Sequence, residues 1–153
     1  MALYLVQHGI SLSKDVDPDQ SLSEKGITET KRMAEVAKNY GIKVSQIKHS
    51  VKTRAQRTAQ VFATALKPEA GIEEVTGLKP MDDVAAFASN IDPQANTMLV
   101  GHLPFMERMA SYLVTGSSGK PIIKFQNSGI VCLDKDSETG SWAIKWTLMP
   151  NIS

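Results

Sequence analysis

Short apolar runs alternate with longer amphipathic stretches along most of the chain. Ala2–Val6 is a continuous apolar run and predicts a buried strand. Ser23–Tyr40 carries Ile27, Ala34 and Ala37, and Met33, Val36 and Tyr40, at helical spacing. Ser21 or Ser23 can cap this helix, Glu24 stands three residues after Ser21 as in a capping box, and Gly41 ends it. Ile47–Ser50 predicts a strand, followed by a helix over Thr53–Leu66 with a buried stripe of Ala55, Ala59, Phe62 and Leu66. Pro68 and Gly71 break that helix, and Ile72–Val75 predicts a short edge strand. Pro80 opens a further helix to about Ser89, Thr97–Gly101 predicts a buried strand, and Pro104 suits the first turn of a helix to Val114. The tail changes character: Gly129–Asp134 and Trp142–Leu148 read as a hairpin across the polar turn Lys135–Gly140. Trp142 and Trp146, four residues apart on a strand, are expected on one face.

Strand–helix alternation implies an α/β fold, a three-layer α/β/α sandwich with a mostly parallel sheet, an antiparallel strand and the C-terminal hairpin. No linker, repeat or low-complexity stretch divides residues 1–153, so one domain is expected. The 42% hydrophobic and 22% charged content suits such a core. A net charge of +1 gives no global field for nucleic acid or an anionic membrane, so neither is an expected partner. One cysteine, Cys132, allows no internal disulfide, and three dispersed histidines offer no close metal-ligand pair. Neither a metal nor a cofactor is expected. The first apolar run is too short for a signal sequence, and a reducing cytoplasm is the expected compartment.

Chemistry gathers where three strands exit into helices. The first strand runs into Gln7-His8-Gly9, Ser50 leads into a helix start carrying Lys52, Arg54 and Arg57, and Thr97–Gly101 runs into His102-Leu103-Pro104. In an open parallel sheet these exits share the edge where ligands bind. Cations at a helix N-terminus oppose the macrodipole, an arrangement that an anion in the site would reverse. Leu103 is a poor N-cap and leaves the N–H groups of Phe105 and Met106 without an obvious side-chain partner, and free N–H groups at a helix start suit an anion. Gly9 permits close approach beside His8, and a neutral imidazole is a competent nucleophile. His49, one position off the second exit, is expected to face away.

These residues resemble the histidine phosphatase superfamily, which shares the phosphoglycerate mutase-like fold, and its small bacterial phosphohistidine phosphatases in particular. The family's Arg-His-Gly stands here as Gln7-His8-Gly9, and its Ser-Pro-x-x-Arg-Ala-x-x-Thr is matched by Ser50-Val51-Lys52-Thr53-Arg54-Ala55-Gln56-Arg57-Thr58. Its closing histidine motif is matched by Val100-Gly101-His102-Leu103-Pro104. The resemblance implies that His8 attacks phosphorus and becomes a phosphohistidine, which water hydrolyses without a metal. Arg54 and His102 would then hold the phosphoryl oxygens, with Gln7, Gly9 and Leu103 around the phosphate. The implied substrate is phosphohistidine in a protein or a small phosphate monoester.

Two departures weigh against this. Gln7 replaces the family's phosphate-binding arginine, and Gln20 stands where a second basic residue is common. Glutamine carries no charge and forms no bidentate fork. Lys52 or Lys14 could restore positive charge nearby. The position matching the family's usual acid is Gly77, which favours a phosphohistidine substrate because protonated imidazole leaves readily. The alternative reading is a degenerate member that binds a phosphorylated protein or ligand without efficient turnover.

Overall fold

The computed structural model describes residues 1–152. Its strands are β1 (Leu3–Gln7), β2 (Gln46–His49), β3 (Ile72–Glu74), β4 (Thr97–Gly101), β5 (Ile130–Lys135) and β6 (Trp142–Leu148). They form one six-stranded sheet in the order β3-β2-β4-β1-β5-β6. The four strands from β3 to β1 run parallel, whereas β5 pairs antiparallel with both β1 and β6. The helices are α1 (Glu24–Asn39), α2 (Thr53–Leu66), α3 (Val84–Ala88) and α4 (Phe105–Thr115).

The strands' period of two sorts the core into two layers. Tyr4, Val6, Met98, Val100, Ile130 and Cys132 face α1 and α2, where they meet Met33, Ala37, Ala59 and Phe62. Leu3, Leu5, Leu99, Val131 and Leu133 face α3 and α4, where they meet Val84, Phe105, Met106 and Met109. This is the expected three-layer sandwich. Because β1, β2 and β4 are parallel neighbours, their C-terminal ends share one edge, and the three chemically unusual exits meet there.

Several local expectations need correction. Ser23 rather than Ser21 caps α1, accepting the Gly26 N–H at 3.0 Å. Ser21 instead accompanies Asp17, whose carboxylate accepts the Ser21 N–H and hydroxyl, so no Ser21–Glu24 capping box forms. Tyr40, at the end of the expected stripe, is exposed, because the inward face of α1 runs through Gly26, Thr30, Met33, Ala34 and Ala37. The helix expected from Pro80 starts only at Val84. Asp82 ties back to the Lys79 N–H in a turn, and Asp83 then caps the helix through Ala85 and Ala86 N–H.

Trp142 and Trp146 lie on opposite faces of the sheet. Cys132 pairs with Trp146 but Leu133 pairs with Ile144, so β6 carries an extra residue at Lys145. Such a bulge reverses the alternation. Trp142 and Ile144 therefore join the α3/α4 layer, while Trp146 and Leu148 join the α1/α2 layer. No helix among the described residues is long and apolar enough to cross a membrane.

Candidate active site

The sheet's C-terminal edge places His8, Arg54 and His102 together. The His8 and His102 rings lie with centroids 5.2 Å apart, and the Arg54 Nε–H points at His8 Nε2 across 3.4 Å. His8 Nδ1 lies 2.7 Å from the Gly9 carbonyl oxygen. A carbonyl can only accept, so this contact requires the proton on Nδ1 and leaves Nε2 unprotonated, its lone pair accepting the Arg54 Nε–H. Half-burial pushes the His8 pKa below its ordinary value, partly offset by the Gly9 carbonyl and reinforced by Arg54. His8 is thus held neutral, in one tautomer, with Nε2 towards the guanidinium.

The segment carrying His8 is fixed from four directions. Its own N–H donates to Gly101 O (2.9 Å), and Asn127 Nδ2 donates to the His8 carbonyl (2.9 Å). Thr58 Oγ1 accepts the Gly9 N–H at 2.8 Å and donates to Arg54 O, which links the nucleophile loop to the helix bearing Arg54. Ser128 donates its N–H to Gln7 O, and its hydroxyl shares a 2.7 Å hydrogen bond with Thr30. The packing around Gly9 is close: a Cβ there would stand 2.6 Å from Thr30 Oγ1. Glycine is needed for this approach.

His102 is 1% exposed, and its Nε2 shares a 2.8 Å hydrogen bond with Ser50 Oγ. Burial first, then repulsion from a protonated His8 and from Arg54 and Lys52, lowers its pKa to about 3. The imidazole is neutral across the physiological range. Two buried side-chain polar atoms among the described residues lack a hydrogen-bond partner, His102 Nδ1 and Gln7 Oε1. Buried polar groups are nearly always paired, and both orphans belong to the exits of β1 and β4. Rotating the Gln7 carboxamide by half a turn presents Nε2, a donor, in place of Oε1.

The remaining expected residues are placed less uniformly. Lys52 is exposed at the N-cap of α2, yet its charge reaches His102. Arg57 is exposed and turned to Gln60. Leu103 is half-buried beside His102. Lys14 is exposed in the loop between β1 and α1 and is not among the charges acting on either histidine. Gln20 lies half-buried in that loop with a left-handed φ of 49°. The expectation of a free Met106 N–H is overturned, because it donates to the His102 carbonyl at 2.9 Å. His49 is buried against the Ser50 carbonyl. No group of three or more His, Cys, Asp or Glu residues that could hold a metal occurs among the described residues.

Ser50 and Thr58 stood inside a recognised motif, but their roles as partners of His102 and Gly9 had no signal in the sequence. Asn127 and Ser128 had none at all. They lie some 119 residues from His8 along the chain and reach it because β5 pairs with β1.

Comparisons with known proteins bear on the fold and the family. The family profile described as histidine phosphatase superfamily (branch 1) matches residues 3–83, which include His8 and Arg54. An uncharacterised protein of Picosynechococcus is 31% identical over 142 residues, covering 87% of this chain and 84% of its own. Among solved structures, the protein histidine phosphatase SixA complexed with tungstate superposes with a TM-score of 0.84 at 22% identity, over 98% of this chain and 97% of that one. SixA of Agrobacterium tumefaciens gives 0.77 at 23% identity, over 97% of each chain. A mycobacterial glucosyl-3-phosphoglycerate phosphatase complexed with VO3 gives 0.71 at 17% identity, over 95% and 97%. At these identities the superpositions speak for the fold. The profile, which spans more than half of the chain, shows that the chain belongs to the histidine phosphatase superfamily, branch 1.

Proposed function

We propose that the protein is a metal-independent phosphatase that hydrolyses phosphohistidine, carried by a partner protein, through a phosphohistidine intermediate on His8. The observation that carries this reading is the His8 tautomer: Nδ1–H is committed to Gly9 O, and the unprotonated Nε2 accepts only a long hydrogen bond from Arg54 Nε. In the first step His8 Nε2 forms a bond to phosphorus as the bond from phosphorus to the substrate imidazole breaks. The departing imidazole leaves as the neutral ring when its other nitrogen already carries a proton. The positive charge that develops on the His8 ring is stabilised by the Nδ1–H bond to Gly9 O. Arg54 and a His102 N–H would hold the phosphoryl oxygens, and Ser50 fixes the His102 ring. Water then attacks phosphorus, the phosphorus–Nε2 bond breaks, and inorganic phosphate and neutral His8 remain.

The carboxylates near the Gly77 turn support an imidazole leaving group over an alcohol. Asp82 is occupied by the Lys79 N–H at 2.9 Å, and Asp83 by the N-cap of α3. An alkoxide needs a proton from a positioned acid, whereas imidazole does not. Small phosphate monoesters are therefore the weaker substrate class. The similarity to SixA, a protein histidine phosphatase, is in keeping with this choice.

A second reading, a binder of phosphorylated partners with little turnover, draws on Gln7, an uncharged side chain where the family has arginine. One experiment separates the two. The protein is incubated with potassium phosphoramidate, and phosphate release and acid-labile labelling are followed for native protein and His8→Ala. Labelling and release that disappear in His8→Ala support the enzyme. Equal turnover by both sinks the nucleophile assignment. Phosphate binding without labelling favours the binder.

A further inference from the structure

A groove of about 770 Å³ runs between α1 and α2 on the face of the sheet opposite α3 and α4. Its floor is small and apolar, including Ala34 and Val61, and its rims carry Lys31, Lys38 and Arg57 against one carboxylate, Glu35. Lys31, Glu35 and Lys38 follow the i, i+4, i+7 spacing of one helix face. The two lysines are about 10 Å apart along α1, roughly two turns of an opposing helix. The groove opens beside the site. Leu22, a buried residue of its lining, lies against Gly9, where an added Cβ would stand 3.2 Å from Leu22 Cδ2, and Arg57 is one turn beyond Arg54 on α2.

We infer that this groove docks an acidic amphipathic helix of the phosphorylated protein, alongside the residue whose phosphoryl group enters the His8 site. The inference rests on the phosphohistidine reading above and adds where, and by what chemistry, the protein substrate is held. Charge complementarity decides the occupant: three cations to one carboxylate select an acidic face. The shape decides its conformation. Both walls are helices that offer side-chain ridges, and the small floor lets a third helix approach to the usual 8–10 Å between axes. An extended segment would have no strand edge to pair with, because both edges of the sheet, β3 and β6, lie outside this groove.

The test uses two synthetic helical peptides of equal length, each with one phosphohistidine, one with Glu and one with Lys at i, i+4 and i+7. Free phosphohistidine is the third substrate. The native protein should hydrolyse the Glu peptide with a kcat/KM about fivefold above the Lys peptide, through KM, and 0.5 M salt should erase the difference. The double variant Lys31→Glu/Lys38→Glu should lose or invert that preference while hydrolysing free phosphohistidine as the native protein does. A preference that is absent in the native protein, or unchanged in the double variant, overturns the docking groove. Failure to hydrolyse all three substrates would instead strike the phosphatase reading. In that case fluorescence anisotropy of the labelled unphosphorylated peptides, which needs no turnover, still decides the groove: tighter Glu-peptide binding that the double variant loses supports it, and equal binding removes it.

Discussion

His102 makes the protein acid-sensitive in a way that can be calculated. Its pKa is about 3 in the folded chain, and an unfolded histidine titrates near 6.5. Above pH 6.5 both states are neutral and the residue contributes no pH dependence. As pH falls below 6.5 the unfolded state takes up a proton and the folded state does not, so stability drops by up to ~1.4 kcal/mol per pH unit. The loss continues until the folded residue also titrates near pH 3. With the ring 1% exposed, solvent screening removes little of the effect. The perturbation is His102→Gln, which cannot protonate, and the assay is urea unfolding of both proteins from pH 7.5 to 4.5. Over the two units below 6.5 the native protein should lose on the order of 2–3 kcal/mol more than the variant. The carboxylates with depressed pKa values, Asp17 and Asp136, are common to both proteins and cancel. Parallel stability curves would refute the claim that His102 is buried neutral. The same reasoning extends to ligand. A tungstate or phosphate dianion near His8, Arg54 and Lys52 opposes the charges that now depress the His102 pKa, so binding should raise it, visible as a shifted His102 NMR titration.

Four further outcomes follow from the same geometry. Labelling of His8 by phosphoramidate should fall on acidification with a midpoint below 6.5, because burial lowers the pKa of the ring; a midpoint at or above 6.5 contradicts the assigned environment. Gln7→Arg should raise kcat/KM about tenfold by adding a charge-assisted bond, and should lower Tm in phosphate-free buffer through repulsion with Arg54; unchanged kcat/KM would show that position 7 does not reach the phosphoryl group. Asn127→Ala removes the donor to the His8 carbonyl and should cost ~1 kcal/mol in urea unfolding and slow labelling about tenfold; full-rate labelling would show that the other anchors suffice. Gly26→Ala places a Cβ 2.1 Å from Ile10 O, a backbone atom two residues past His8, so overpacking of ~1–3 kcal/mol should outweigh the helix-propensity gain; a variant of native stability would disprove that close approach.

The sandwich was legible because its signals are local. The apolar runs at Ala2–Val6 and Thr97–Gly101 are too short for a helix and suit strands buried on two faces, and the amphipathic stretches between them supply the covering layers. The three exits were legible for the same reason, since each is a strand end followed at once by unusual residues: His8-Gly9 after β1, three cations at the start of α2, and His102 before the uncapped α4. Their convergence needed only the parallel order of neighbouring strands. What failed was any inference that depended on partners. The Met106 N–H was expected free because no side chain nearby in sequence could take it, yet the His102 backbone does. The Ser21–Glu24 box fitted the spacing, but Asp17 competes for Ser21.

By itself the sequence determined the layer architecture, the edge where chemistry gathers, and the residue types that can meet there, because periodicity and order along the chain encode them. Tertiary structure alone decided three things. It set the His8 tautomer and the depressed His102 pKa, since both depend on which carbonyl, hydroxyl and charges surround each ring. It recruited Thr58, Asn127 and Ser128 to hold the His8 loop, across separations that no local pattern spans. It also turned Trp146 to the face opposite Trp142, because one bulged residue in β6 reverses an alternation that the sequence leaves uninterrupted.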